Sequence, residues 1–142
     1  MCDCELLERA RRVMAGDRYA VEATGIEIVE VGESVVRCIM AIGKRHSNVR
    51  GVVMGGALFT LADFSAAVLV NYDCIVHDTP FQWITASSEI HFLAAASGKS
   101  LTADSRYVKR GRSISVMQTD IHDDNQRLVA CITTTSMRIN GS

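Results

Sequence analysis

The chain has 142 residues, 48% apolar and 22% charged, with a formal net charge of −1. That length suits one domain, 1–142, with a core that needs no disulfide or metal staple. The balanced charge argues against a nucleic-acid surface. No apolar run of about 18 residues occurs, and the charged start MCDCELLERARR lacks the apolar stretch of a secretion signal, so a soluble cytoplasmic protein with no membrane partner is expected.

The elements follow in chain order. Leu6, Leu7, Ala10, Val13 and Met14 recur at helical spacing before Gly16, which predicts a short amphipathic helix over about 4–15. Ile26, Ile28 and Val31, then Val35, Ile39 and Ile42 after Gly32, predict a hairpin. A polar loop over 43–53 leads into a long Ala- and Leu-rich helix from Gly55 to about Asn71, apolar nearly all round and therefore buried. A second loop, 73–82, holds the only proline, Pro80. Four β-rich segments follow, near 83–92, 100–109, 113–122 and 127–139, and the short loops between them imply antiparallel neighbours. The pattern is satisfied by an α+β fold: a six-stranded antiparallel sheet wrapped around one central helix, with the short N-terminal helix added.

Five scattered cysteines, Cys2, Cys4, Cys38, Cys74 and Cys131, read as reduced thiols. Cys2 and Cys4 supply two ligands where zinc needs about four, and His77, His91 and His122 have no partner at metal spacing, so no metal is expected.

The chemistry concentrates in RHSNVRGVVMGGALFTLADFSAAV, residues 45–68. Gly55 and Gly56 leave the helix start free of side chains, so a ligand can approach unpaired backbone N–H groups at the positive end of the helix dipole. Such groups suit a developing oxyanion, although the same glycines also suit close helix packing. Asp63 is the only charge on the helix. Burying a carboxylate is costly unless it is paired or faces water, so Asp63 marks a cleft or a subunit boundary.

The stretch HSNVRGVVMGGALFTLADF resembles the active-site motif of the PaaI-like acyl-coenzyme A thioesterases of the hotdog superfamily. The similarity continues through SSEIHFLAAASGKSLTADSRYVKRGRSISVMQTDIHD and covers about Gly25 to Ile139. It implies a hotdog fold and hydrolysis of an acyl-coenzyme A, with coenzyme A as part of the substrate and no separate cofactor. It also implies site roles. Asp63 stands at the catalytic carboxylate, as base or nucleophile, and Gly55 at the oxyanion amide beside Gly56. Asn48 stands at the asparagine that positions the thioester or water, and Thr85 where relatives carry a water-orienting hydroxyl. Lys109, Arg110 and Gly111 stand at a basic turn near coenzyme A phosphates. The plain alternatives are a turn residue for Asn48, a strand residue for Thr85 and a solvated hairpin for the basic turn. His46 matches a motif histidine with a loop-organising role.

One departure is Met54, where the family usually has His. Methionine neither donates to a carbonyl nor transfers a proton, though its thioether can pack against the acyl-thioester. Two readings therefore stand: an acyl-coenzyme A thioesterase, and a non-catalytic acyl-coenzyme A-binding protein on the same fold. Gly55 and Asp63 are eight residues apart, about 12 Å along one helix. A thioester held at the Gly55 amide needs Asp63 from a second copy, so a homo-oligomer, dimer or dimer of dimers, is expected.

Overall fold

A computed structural model describes residues 1–139; the last three positions of the expected 1–142 domain lie outside the described residues. Helix α1, Asp3–Met14, carries Asp3 and Glu5 in its first turn and Arg11 and Arg12 in its last, matching the helix dipole at both ends. Its buried residues Leu6, Ala10 and Met14 form one stripe. Arg9 and Arg11 on the same helix donate to the carbonyls of Val76 (2.6 Å) and Ile28 (2.9 Å). A π-helical turn at Tyr19–Ala23 leads into the expected hairpin, β1 Ile26–Val31 and β2 Val35–Ala41, closed by the Gly32 N–H on the Val35 carbonyl.

Helix α2, Gly55–Val70, begins where the glycine pair predicts. The segment expected as a loop over 73–82 begins as a short helix, α3, Tyr72–His77, with Cys74 and Ile75 buried. Strands β3 Trp83–Phe92, β4 Ser100–Lys109, β5 Ile114–Asp123 and β6 Leu128–Arg138 complete one sheet. Its order is β1-β2-β4-β5-β6-β3, with every neighbouring pair antiparallel.

That order corrects one expectation: the short connection 93–99 does not join neighbours. Strand β3 pairs with β6 at the sheet edge, and β4 lies between β2 and β5. Three strand spacings separate β3 from β4, about 14 Å. Residues 93–99, extended, reach about 23 Å, so a short loop can make the crossing. Side-chain bonds tie it to the β5–β6 turn. The Ser97 hydroxyl donates to Asp123 (3.2 Å), the Lys99 N–H to Asp124 (2.8 Å), and Arg127 to the Ala95 carbonyl (2.8 Å).

The sheet curls around α2. Leu61, Ala62, Val68 and Leu69 of the helix are fully buried, as are Val36, Met40, Leu101, Met117 and Ile121 of the strands. Burial of each large apolar side chain contributes about 1.5–3 kcal/mol. In β5 buried positions alternate strictly with less buried ones, as a strand with one face on a core requires. Ser65 of α2 joins the sheet through Ser105 (2.8 Å), itself bonded to Thr119 (2.6 Å), so the hydroxyls inside the core are satisfied. Strand β3 is different. None of its residues is fully buried, and one face of α2 beside it is left uncovered.

Candidate active site

The first turn of α2 is built by the loop before it. His46 is buried; its Nδ1 accepts from the Gly43 N–H (2.9 Å), so Nε2 donates to the Thr24 carbonyl (2.8 Å). Its own carbonyl receives the Met54 N–H (2.8 Å). This is the loop-organising role the motif implies. Asn48 does similar work with one side-chain atom: its Oδ1 accepts from the backbone N–H of Arg50 (2.9 Å) and of Val52 (3.3 Å). The amide oxygen is thus committed to the turn, which leaves the NH2 group as the part that can address a substrate.

Met54 precedes the helix with extended backbone and is 46% exposed, so its side chain does not cap α2. Among the described residues the N–H groups of Gly55 and Gly56 have no protein acceptor, as the opening turn of a helix allows. A Cβ on Gly55 would lie 2.8 Å from the ring of Phe92. Glycine here leaves room for the ring of Phe92, 55% exposed at the end of β3, beside the Gly55 Cα.

Two turns further along α2, Asp63 faces away from the core into an open cleft of about 680 Å³. The Thr85 hydroxyl donates to its carboxylate at 3.0 Å. A bulge in β3 makes this contact possible. Thr85 pairs with the buried Ser136, but after a register shift Ser88 pairs with the buried Thr134. Thr85 and Ser88 therefore share the helix-facing side although they are three positions apart, an odd offset that would put them on opposite faces of a regular strand. Desolvation by burial pushes the Asp63 carboxyl above its ordinary value. The Thr85 hydrogen bond acts against that shift, and the charge of Asp17 adds to it.

The site residues thus fall into three groups within one chain. Asp63 and Thr85 meet in the cleft. Asn48, Met54, Gly55 and Gly56 gather at the N-terminal end of α2, about 12 Å away along the helix. Lys109, Arg110 and Gly111 form the β4–β5 turn, and none of them lines the cleft. Two residues of that turn, Arg110 and Gly111, differ from expectation, since their groups already have partners. Arg110 pairs with Glu33 (2.9 Å) and Asp73 (3.1 Å) and sits 5.4 Å over the Tyr107 ring, while the Gly111 N–H donates to Ser115 (3.1 Å). The Gly111 amide is therefore not the free phosphate donor that the turn suggested.

The other reactive groups are poorly placed for chemistry. Cys38 is sealed in the core and burial pushes its thiol up to about 12, so it does not serve as a thiolate near neutral pH. Among the described residues no group of three or more His, Cys, Asp or Glu side chains is placed to hold a metal, and no helix is long and apolar enough to cross a membrane.

The comparison with known proteins decides the family. The sequence model described as Thioesterase superfamily matches residues 50–130, more than half of the chain and the part that holds Gly55, Asp63 and Thr85. The chain belongs to the thioesterase superfamily. Within it the chain is PaaI-like and has the hotdog fold. The acyl-coenzyme A thioesterase PaaI of Escherichia coli is 27% identical over 122 residues, covering 85% of this chain and 83% of that one. The structure of the E. coli PaaI protein superposes with a TM-score of 0.81 at 25% identity, covering 96% and 98% of the two chains. A hypothetical thioesterase from Streptococcus pneumoniae, solved with coenzyme A, gives a TM-score of 0.74 at 25% identity over 88% and 95%. The enzyme class that goes with this membership is thioester hydrolase.

Two residues that shape this candidate site, Phe92 and Asp17, carried no sequence signal. Phe92 reads as an ordinary strand aromatic, and Asp17 as a solvated charge. Asn71 could have been found: an asparagine just after a long helix is a common C-terminal cap, and here its side chain bonds both the helix and the 82–83 backbone.

Proposed function

We propose that the chain hydrolyses an acyl-coenzyme A to the free acid and coenzyme A, with Asp63 as its central catalytic group. The observation that carries this reading is the Asp63–Thr85 pair, a carboxylate with a hydroxyl donor at 3.0 Å in a largely apolar cleft. In the general-base form, Asp63 takes a proton from water that Thr85 helps to orient, and the water oxygen bonds to the thioester carbon. The resulting oxyanion rests on the Gly55 N–H, and the NH2 of Asn48 holds the carbonyl or the water. The tetrahedral intermediate expels the coenzyme A sulfur, which takes up the proton from Asp63. In the nucleophile form, the Asp63 carboxylate bonds to the thioester carbon and expels coenzyme A as its thiolate, and water then hydrolyses the resulting mixed anhydride to the free acid, restoring Asp63.

A complete site under this proposal takes Asp63 and Thr85 from one copy and Asn48 and Gly55 of the partner subunit. The exposed edge strand supports such pairing. Among the described residues β3 offers a row of backbone groups with no neighbour on its outer side, flanked by Ile84 and Phe92, with Leu93, Met54 and Phe59 also exposed. A two-fold dimer along this edge generates two equivalent sites. For coenzyme A, Lys109 is better suited to a phosphate than Arg110, since Arg110 is held by two carboxylates.

The pH profile tests the role of Asp63. Activity in either form needs the ionised carboxylate, and burial raises its pKa above the usual 3.8. kcat/KM is therefore expected to fall as pH drops through a value above that figure, with the limb absent from any residual activity of an Asp63→Asn chain. A limb at or below 3.8 would remove the desolvated carboxylate from the mechanism.

Met54 favours the second reading, acyl-coenzyme A binding without turnover, because it cannot donate to the carbonyl. Its exposure at the helix start leaves room for a ring, so Met54→His is expected to raise kcat, measured with a thiol-reactive reporter of released coenzyme A. A folded variant with lower kcat shows that methionine is the better residue here. Tight binding of acyl-coenzyme A by the native chain with no release of thiol would establish the second reading.

A further inference from the structure

The cleft at Asp63 continues past the reacting groups. Asp63, Ala67 and Val70 are spaced four and three residues apart and so form one stripe on α2. Opposite them, the strand face that carries Thr85 carries Trp83 two residues earlier, and Phe81 and Pro80 extend this apolar wall. Ala67 is the smallest side chain on the helical stripe and lies one turn beyond Asp63, where the groove needs depth.

The far end is fixed. Asn71 is buried, with its Oδ1 accepting from the N–H of Gln82 and of Trp83, both at 3.2 Å. Its NH2 donates to the carbonyls of Ala67 (3.1 Å) and Trp83 (3.4 Å). One side chain thus staples the start of β3 to the last turn of α2 and holds Trp83 in place. Among the described residues no Lys, Arg or His lines the groove, and its ionisable groups are Asp63 and Asp17.

We propose that this groove selects uncharged, apolar acyl groups of about eight carbons, and that Ala67 sets its width next to the reacting carbonyl. The inference rests on the acyl-coenzyme A reading above. Length follows from the helix: Asp63 to Val70 spans about 10.5 Å. An extended chain advances about 1.2 Å per bond, taken from the reach of an extended backbone, and its terminal methyl takes up about 2 Å more, so about seven bonds, or about eight carbons, fit before the Asn71 staple. Charge follows from the lining. An acyl group ending in a free carboxylate meets two acids and, among the described residues, no cation in an apolar cleft, so it is rejected.

The test uses the full chain with acetyl-, octanoyl-, palmitoyl- and succinyl-coenzyme A. Octanoyl is expected to exceed acetyl and palmitoyl by at least about tenfold in kcat/KM, because each buried methylene adds favourable transfer free energy until the groove ends. Succinyl is expected to be the poorest of the four. Ala67→Leu narrows the groove and should lower the octanoyl-to-acetyl ratio by at least about tenfold. Ala67→Val, a smaller insertion, should lower it in the same direction if the leucine variant does not fold. The acetyl, octanoyl and palmitoyl members are also read as dissociation constants with the Asp63→Asn chain, so length selectivity is measured whether or not turnover occurs; succinyl is compared only in the native chain, which keeps both acids. A flat series, a preference for succinyl, or an unchanged ratio in both Ala67 variants overturns the groove assignment while leaving hydrolysis standing. Failure of every acyl-coenzyme A to bind overturns both.

Discussion

Asp63→Asn is expected to lower kcat by about a hundredfold or more, the loss typical of removing a general base, while acyl-coenzyme A still binds. The swap keeps the shape of the side chain and an oxygen that can accept from Thr85, so the cleft should survive. Stability supplies a second, independent readout, and its sign follows from the pKa direction. Burial raises the carboxyl above its ordinary value, so the folded chain holds the proton more tightly than the unfolded chain does. The contribution of this group to stability is most favourable below the unfolded value of 3.8. It is lost as pH rises through the higher folded value, so at pH 7 the ionised group costs stability. Removing the charge should therefore leave the melting temperature at pH 7 unchanged or higher, and the gain should vanish in acid. An Asp63 kept for structure behaves oppositely, with a lower melting temperature and retained activity. Scanning calorimetry at pH 7 and pH 4 with parallel kinetics separates the two.

The second large effect is recovery of activity by mixing two inactive chains. If each site takes Asp63 from one subunit and Asn48 with Gly55 from its partner, a defect at Asp63 and a defect at Asn48 complement each other. Asn48→Asp is the better second variant, because it keeps an oxygen that accepts from Arg50 and Val52 and replaces the NH2 donor with an anionic acceptor that cannot hold the carbonyl. In each mixed dimer one site then has both native residues and the other has both changes. Random pairing at equal amounts makes half of the dimers mixed, so about a quarter of all sites recover. The expected result is about a quarter of native activity after subunit exchange, with hybrids counted by native mass spectrometry. Hybrids present at the random proportion with activity no greater than the parents' average would mean that each site is complete within one chain.

What the sequence determined by itself was the set of elements and the chemistry each could carry. Alternation and helical spacing are local properties, so the order of helix, hairpin, long helix and four strands was legible. The Gly-Gly pair before a helix with one acid pointed to that helix as the site, and the 45–68 motif pointed to the family that residues 50–130 then established. The tertiary structure alone decided which elements meet. β3 lies at the edge beside β6 rather than beside β4, because seven residues can cross three strands and loop length does not reveal which strand is reached. Thr85 faces Asp63 because a bulge reverses the side-chain parity of β3, which a period-two pattern cannot reveal. Arg110 and the Gly111 amide read as free groups in sequence, yet the fold brings Glu33, Asp73 and Ser115 from elsewhere in the chain to occupy them. The apolar wall ending in Trp83 was likewise invisible, because it exists only where Asn71 ties the last turn of α2 to a strand that begins twelve residues later. Local periodicity reports what a segment can bury; the pairing of distant segments depends on packing the whole chain at once.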